Sequence, residues 1–341
     1  MRSDPQADTN VKEELHLRND DRMRGGSGPI TRRAVLGTCA TLIGSALVSG
    51  ARVSFHSRLP IIDAHTHFSN PAHSPGAQTK PPTLHPDTPD AYRLMVEPLG
   101  VRGTIVVETG TWTEDNQWIL SLAARNKIIV GYVGHLQPGT PDFRYQLSQL
   151  RSSSILRGLR YGNLWGWNLD SALERSGFVS DLKFLADAGL ELDAVLDAPG
   201  SVPTLSTVVK LTDAVPNLRV VIDHLPFYFD STAARSQYER GLQDLKVRPQ
   251  VYAKISGVLR KVDDRVPVDV DFYRSDLDGL WDAFGPDRLI YGSNWPPVES
   301  LAPYQTVLRV VREYFATKGE VASIKFFWDN SRDAYRWVNR E

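Results

Sequence analysis

The stretch that decides the fold is residues 61–68, IIDAHTHF, in which a short apolar run leads into two histidines. Side chains two residues apart on a strand point to the same face of the sheet. The spacing therefore predicts that His65 and His67 project together from the end of one strand, with Asp63 on the same side. Neutral imidazole is a common metal ligand and a common acid/base group, so the pair forms half of a candidate site.

The composition of the 341-residue chain is that of a soluble globular protein, with 41% hydrophobic and 23% charged residues. The formal net charge is −1, so the chain has no overall positive charge that would attract nucleic acid. We expect a small-molecule substrate and no nucleic-acid partner. The chain has a single cysteine, Cys39, which excludes an internal disulfide and a cysteine metal cluster. Any metal would depend on histidine, carboxylate or amide ligands.

Residues 1–55 are expected to lie outside the folded domain, which spans residues 56–341. Residues 1–30 are polar and mixed in charge, a composition that predicts disorder. The paired Arg32 and Arg33 precede a modest apolar run and then small residues, which resembles a twin-arginine export signal. The run is too short for a stable membrane span. We expect an exported, periplasmic or extracellular protein, and a cytoplasmic one if the signal does not function.

From residue 60 onward, short apolar runs alternate with helical stretches. The predicted strands cover residues 61–64, 103–108, 128–133, 155–161, 190–196, 218–223, 251–255 and 288–291. Several are continuous Val/Ile/Leu runs, as buried parallel strands are. Eight β/α repeats in about 280 residues predict an α/β fold, the (β/α)₈ TIM barrel. An open doubly wound sheet would show a glycine-rich first turn, which this sequence lacks.

Active-site residues of such barrels lie at the carboxyl ends of the strands. Polar residues gather at those predicted ends: His65, His67, Glu108, Arg160, Tyr161, Asp193, Asp197, Asp223, His224, Lys254, Ser256, Ser293, Asn294 and Trp295. The opposite strand ends carry no comparable set of charged groups. This asymmetry favours an enzyme.

Several of these residues have a structural alternative to a functional role. Glu108 ends a buried strand, where an unpaired carboxylate is costly, so it either takes part in catalysis or pairs with Lys254 or Arg160. Arg160 either holds a substrate through bidentate hydrogen bonds or neutralises Glu108. Trp165 and Trp167, in the loop after the fourth strand, either stack on a ligand ring or cap the barrel.

The order and spacing of several motifs resemble a known family. These motifs are DAHTHF at 63–68, VIDHLP at 221–226, YAKISG at 252–257, DRLIYGSNWP at 287–296 and FWDNSRDAY at 327–335. Together they resemble the amidohydrolase superfamily, in particular its amidohydrolase-2 branch of sugar-lactone and dicarboxylate-lactone hydrolases. The resemblance covers residues 60–338 and implies a (β/α)₈ barrel that hydrolyses a lactone or related ester. It also implies that His65 and His67 match the family's first-strand pair and His224 its later-strand histidine.

The eighth-strand motif departs from the family pattern. Many members carry Asp where this chain has Asn294, and that Asp takes a proton from the attacking water. An amide cannot act as a base at neutral pH, although Asn294 could orient water or contact a metal through its oxygen. The base would then be Glu108, His224 or Asp223, and the sequence does not choose among them.

The expected activity is lactone opening by water attack on a carbonyl polarised by the histidines. His65, His67 and His224 would act directly or through one divalent metal, zinc in the first place, because three histidines with an open position suit that ion. We expect Asn294 and Glu108 to join them in catalysis. The residues expected to bind substrate are Arg160, Tyr161, Trp165, Lys254 and Trp295. The alternatives are a non-catalytic barrel that binds a sugar or sugar acid, motivated by Asn294, and a metal-dependent decarboxylase of the same family.

Overall fold

The structure, a computed structural model, describes residues 59–73, 87–196, 204–229 and 231–340 of the chain. The twin-arginine-like segment and Asp197 lie outside these residues, so export and any role of Asp197 stay predictions. Within the described ranges, no helix combines the length and apolar character needed to cross a membrane.

Eight parallel strands form one sheet whose order follows the chain. They are β1 (Ile61–Thr66), β2 (Val101–Val107), β3 (Ile129–Gly134), β4 (Leu156–Gly162), β5 (Glu191–Val195), β6 (Arg219–Leu225), β7 (Val251–Ile255) and β8 (Leu289–Tyr291). The last strand returns to the first, because Thr66 bridges in parallel to Trp295 and the N–H of His67 donates to the Trp295 carbonyl at 2.8 Å. The predicted (β/α)₈ barrel is confirmed.

Helices alternate with the strands and cover the outside of the barrel. They are α1 (Pro89–Val96), α2 (Glu114–Arg125), α3 (Phe143–Leu150), α4 (Leu169–Ala172), α5 (Ser176–Asp187), α6 (Ser206–Ala214), α7 (Thr232–Leu245), α8 (Val270–Phe284), α9 (Tyr304–Lys318), α10 (Glu320–Ile324) and α11 (Asn330–Tyr335), with a π-helical turn at Lys325–Asp329. The sequence pattern of residues 172–188 predicts one helix, and this prediction is wrong. Arg175 is extended before α5, at φ −91° and ψ 117°, and divides that stretch into two helices.

Apolar side chains pack in two layers. The outer layer lies between strands and helices and includes Val106 and Ile222. The inner layer fills the barrel and includes Ile105, Val221 and Ile290. Each such side chain contributes about 1.5–3 kcal/mol when fully buried, so the two layers hold the strand ends in fixed positions.

The C-terminal segment closes one end of the barrel. The hydroxyl of Tyr335, in α11, donates to Oδ1 of Asp193 inside the barrel at 2.7 Å. The N–H of Val338 donates to the carbonyl of Val130, near the start of β3, at 2.9 Å. These contacts lie toward the amino ends of the strands, which leaves the carboxyl ends for the candidate site.

Candidate active site

His65 and His67 lie together at the end of β1, with their Nε2 atoms 3.2 Å apart. Nδ1 of His67 donates to the Val107 carbonyl at 2.9 Å, which leaves its Nε2 unprotonated and facing His65. Burial lowers the pKa of His67 to about 3 and holds the pKa of His65 well below its usual range. Both imidazoles are therefore neutral at pH 7, the form that ligates metals.

The carboxylate of Asp63, expected beside the histidines, is bonded elsewhere. It accepts from the hydroxyls of Tyr92 at 2.8 Å and Tyr304 at 3.0 Å, and from the N–H of Ser293 at 2.8 Å. The register of β1 against β2 shifts between Asp63 and Thr66, and such irregularities break the strict alternation of side chains. Asp63 therefore orders the junction of β1 with β8 and contacts none of the imidazoles.

His224 lies in β6, and its ring is packed against that of His65 with centroids 4.5 Å apart. Its backbone is left-handed, at φ 59°, a conformation that costs a non-glycine residue about 1–3 kcal/mol. Ser256, just after β7, accepts from the N–H of His224 at 3.1 Å, and its Oγ lies 3.0 Å from Nδ1 of the ring. Because a hydroxyl can donate or accept, Ser256 orients the ring in either tautomer. His224 is the half-buried member of the three histidines.

Lys254 lies at the centre of a buried ion network. Its Nζ is 2.7 Å from Oδ2 of Asp193, 2.9 Å from Oδ1 of Asp223 and 3.2 Å from Nδ1 of His65. Burial alone would lower the pKa of Lys254, but the two carboxylates raise it above its usual value. Burial would likewise raise the pKa of Asp223, but Lys254 and His65 hold it well below its usual range. Lys254 has no exposed surface, so this geometry favours positioning His65 and Asp223 over contacting a substrate.

Arg160 and Glu108 form a second buried pair. Nε of Arg160 donates to Oε1 of Glu108 at 2.6 Å and its Nη2 donates to the Glu108 carbonyl at 3.0 Å, while Nη1 lies 3.8 Å from Oδ2 of Asp223. Despite burial, these carboxylates raise the pKa of Arg160. The structure thus shows the pairing that was one of the two alternatives. Oε2 of Glu108 is buried and has no hydrogen-bond partner within the described part of the chain.

His135, the residue after β3, is a fourth histidine at this end of the barrel that the sequence analysis did not single out. Its ring is 4% exposed and stacks on Trp167 at 4.8 Å, and burial lowers its pKa. Trp167 stacks in turn on Tyr161 at 5.0 Å. Both faces of Trp167 are therefore covered, and the Tyr161 ring is held in the same stack. The end-of-strand rule, applied to the third strand, would have found His135.

The remaining expected residues differ in exposure. Trp165 is 46% exposed, in a left-handed turn at φ 59°, and is open to a ligand. Trp295 is fully buried against the rings of Phe68 and Tyr92, which keeps it behind the rim. Asn294 is half-buried, and its N–H donates to the His65 carbonyl at 2.9 Å.

The donor set fits a divalent cation. Ligand atoms of His65, Asp223 and His224 lie within 4.8 Å of one another. Two nitrogens bound to tetrahedral zinc at about 2.0–2.1 Å lie roughly 3.4 Å apart, close to the 3.2 Å between His65 and His67. Lys254 occupies the Nδ1 side of His65 and leaves Nε2 facing His67. The group therefore contains Asp223 besides the predicted His65 and His224, while His67 is joined to it through its contact with His65.

Comparison with known proteins agrees with this geometry. The amidohydrolase family model matches residues 62–337. The L-fucono-1,5-lactonase of Burkholderia ambifaria is 28% identical over 243 residues, which cover 69% of this chain and 80% of that protein. The L-rhamnono-gamma-lactonase of Scheffersomyces stipitis is 27% identical over 133 residues, 35% of this chain and 40% of that one.

A crystal structure of an amidohydrolase from Burkholderia multivorans with bound zinc has the same fold. Its TM-score is 0.69 at 21% identity, over 82% of this chain and 99% of that chain. The family match spans the whole barrel and includes each histidine described above. The chain belongs to the amidohydrolase family and is a hydrolase of that family.

Proposed function

We propose that this enzyme opens a lactone, a sugar lactone or related cyclic ester, by attack of water on the ring carbonyl. The observation that carries the proposal is the link between the histidines and Glu108. His67, which lies 3.2 Å from His65, donates to the carbonyl of Val107, the residue before Glu108, and the buried Oε2 of Glu108 has no hydrogen-bond partner among the described residues. Lactonases among the relatives, which act on sugar lactones by name, support the same reaction.

His224 is the residue that we assign to the carbonyl oxygen. When Ser256 donates its hydroxyl hydrogen to Nδ1, across the observed 3.0 Å, the ring hydrogen lies on Nε2. A neutral Nε2–H is a donor that can stabilise the oxyanion as water adds, and one such donor is worth about 2.7–4 kcal/mol. The half-buried position of His224 lets a substrate approach it.

Glu108 is the residue that we assign as the general base. Arg160 holds its Oε1 at 2.6 Å, while Oε2 remains available to accept a proton from water. Asp223 is a weaker candidate, because Lys254 engages it at 2.9 Å and keeps its pKa low. With Glu108 in this role, lactone hydrolysis does not require a carboxylate in place of Asn294.

His65, His67 and Asp223, together with His224 in the tautomer whose Nε2 is unprotonated, would hold a divalent cation. When bound, the cation would polarise the carbonyl in place of the His224 donor and lower the pKa of a water molecule. The chain's own contribution is to fix these side chains. Lys254 orients His65 and Asp223, and the Val107 carbonyl fixes the tautomer of His67. Such positioning groups are part of a functional site as much as the ligands are.

The substrate that the site favours is a neutral lactone. A dicarboxylate lactone would need cations to bind its acidic groups, yet Arg160 and Lys254 already pair with Glu108, Asp193 and Asp223. Among the described rim residues, Trp165 offers an exposed ring on which a sugar face could pack.

The proposal is tested by incubating the purified chain, with and without added zinc, with neutral sugar 1,4- and 1,5-lactones and with dicarboxylate lactones, while acid release is followed. We expect turnover of at least one neutral lactone and loss of that turnover in His224→Gln. Saturable binding of these lactones without turnover, by folded protein in both conditions, would show a binding barrel instead. Carbon dioxide release from an aromatic acid would show a decarboxylase.

A further inference from the structure

A cavity of about 360 Å³ lies at the end of the barrel opposite to the histidines. Its floor is formed by Ile62, Val101 and Val130, which stand near the amino ends of β1, β2 and β3. Trp328 and Trp337, from the C-terminal segment, form part of its wall. The volume is within the range of small-molecule sites, roughly 300–1,000 Å³.

The side chains around this cavity are strongly basic, so the expectation that the opposite strand ends carry no comparable set of charged groups is wrong. Five cations line it, Arg93, Arg102, Arg125, Lys127 and Arg340, against two acids, Asp90 and Glu97. The local net charge is thus +5 − 2 = +3, in a chain whose total is −1. Both acids lie beside Arg93, at 3.8 Å and 3.1 Å. Arg102, Arg125 and Lys127 are exposed and form no ion pair with any described residue.

The C-terminal wall is held in place by the protein itself. Nη1 of Arg340 donates to the carbonyls of Ala123, Asn126 and Ile129 at 2.6, 3.2 and 2.9 Å. These acceptors are neutral, so they fix the guanidinium without cancelling its charge. The N–H of Val338 adds a backbone bond to β3. The C-terminal wall is therefore in place before any ligand arrives, which reduces the entropy lost on binding.

We propose that this cavity binds a multiply charged organic anion, one that carries carboxylate or phosphate groups on a compact carbon skeleton. Unpaired arginine and lysine side chains supply the charged donors that such groups need. The half-buried Trp328 ring supplies a surface for the carbon skeleton, which an inorganic ion would not use. The inference does not depend on lactone hydrolysis, because none of these residues belongs to the active site.

The test is calorimetric titration of the full-length chain with citrate, with a sugar phosphate and with inorganic phosphate, at low and at high salt. The pocket variant is Arg102→Glu with Lys127→Glu. The matched control is Arg151→Glu with Lys183→Glu, which makes the same charge change at exposed positions outside the cavity. Thermal unfolding without ligand establishes that both variants are folded.

We expect citrate or the sugar phosphate to bind more tightly than inorganic phosphate, with an affinity that falls at high salt. The pocket variant should bind at least about tenfold more weakly, since it places two negative charges beside the anion, and the control should bind as the native chain does. A carboxylate ligand and a phosphate ligand are distinguished by which of the two probes is tighter. No binding of either organic anion up to about 10 mM, equal weakening in both variants, or inorganic phosphate binding as tightly as either would overturn the inference.

Discussion

The ammonium group of Lys254 lies 2.9 Å from Oδ1 of Asp223, and neither side chain is exposed to solvent. The same ammonium group contacts Asp193 at 2.7 Å. Removing one partner of a buried pair leaves uncompensated charge and costs about 3–5 kcal/mol. We therefore expect Lys254→Met to lower the free energy of unfolding by an amount in that range, measured by urea denaturation.

Lys210 provides the control. Its Nζ also lies 2.7 Å from a carboxylate, that of Asp170, but the two side chains are 59% and 43% exposed. Exposed pairs contribute about 0–1 kcal/mol, so Lys210→Met should have little effect. Equal losses in the two variants would show that burial does not determine the contribution of the Lys254 network.

The buried neutral histidines predict an acid-sensitive fold. The pKa of His67 is about 3 in the folded chain and close to 6.5 when unfolded. Between these values the unfolded state binds a proton that the folded state does not, so stability is lost as the pH falls. The slope is about 1.4 kcal/mol per pH unit for each such histidine. In His67→Gln the unfolding free energy should fall less steeply with falling pH between about pH 6 and pH 4. Equal slopes of unfolding free energy against pH in the variant and the native chain would contradict this explanation.

Ser256 is expected to act on catalysis through His224. Ser256→Ala removes the hydroxyl 3.0 Å from Nδ1 and with it the hydrogen bond that orients the ring. We expect kcat to fall by about tenfold with KM little changed, because the lost interaction supports the transition state. Ser256→Thr, which keeps the hydroxyl, should restore most of the activity. A change confined to KM would place Ser256 in substrate binding instead.

Gly292 allows β8 to approach the histidines. A Cβ at this position would lie 2.7 Å from Cβ of His65 and 3.2 Å from Cγ of Lys254. Gly292→Ala should therefore displace His65, lower stability by about 1–3 kcal/mol and reduce kcat. Gly279→Ala is the control, since a Cβ there meets nothing within 4 Å in α8, and it should be neutral or stabilising by up to about 1 kcal/mol. Full activity in the Gly292 variant would show that His65 tolerates the shift.

The barrel could be predicted because buried parallel strands are nearly continuous apolar runs. The strand over residues 251–255 matches the sequence prediction to the residue. His65, His67 and His224 could be assigned to one site from the sequence, because the barrel brings the carboxyl ends of its strands together whatever their separation in the chain. A single helix was expected over residues 172–188 because propensity alone does not reveal the extended Arg175.

The partners of the charged residues could not be predicted. Lys254 and Asp193 lie 61 residues apart in β7 and β5, and Asp193, which its position near a predicted strand end places at the rim, is fully buried. Arg160 could have faced a substrate or Glu108, and only the packed barrel shows the choice. His224 and Asn294 adopt left-handed backbone conformations. Such conformations are usually recognised in a sequence by a glycine, and neither position is a glycine. The periodicity of apolar residues in the sequence indicates which positions are buried. Ion pairing depends instead on the register between strands that are distant in the chain, which the sequence pattern does not give.

In the proposed reaction Glu108 accepts the proton of the attacking water, although position 294 is an amide. The decisive measurement is kcat of Glu108→Gln on a lactone that the native chain opens, with the exposed Glu313→Gln as control. The account predicts a fall of about 10²- to 10⁴-fold in the Glu108 variant, unchanged activity in the control and a preserved fold by circular dichroism. A kcat within about threefold of the native value would contradict it and assign the base to another residue.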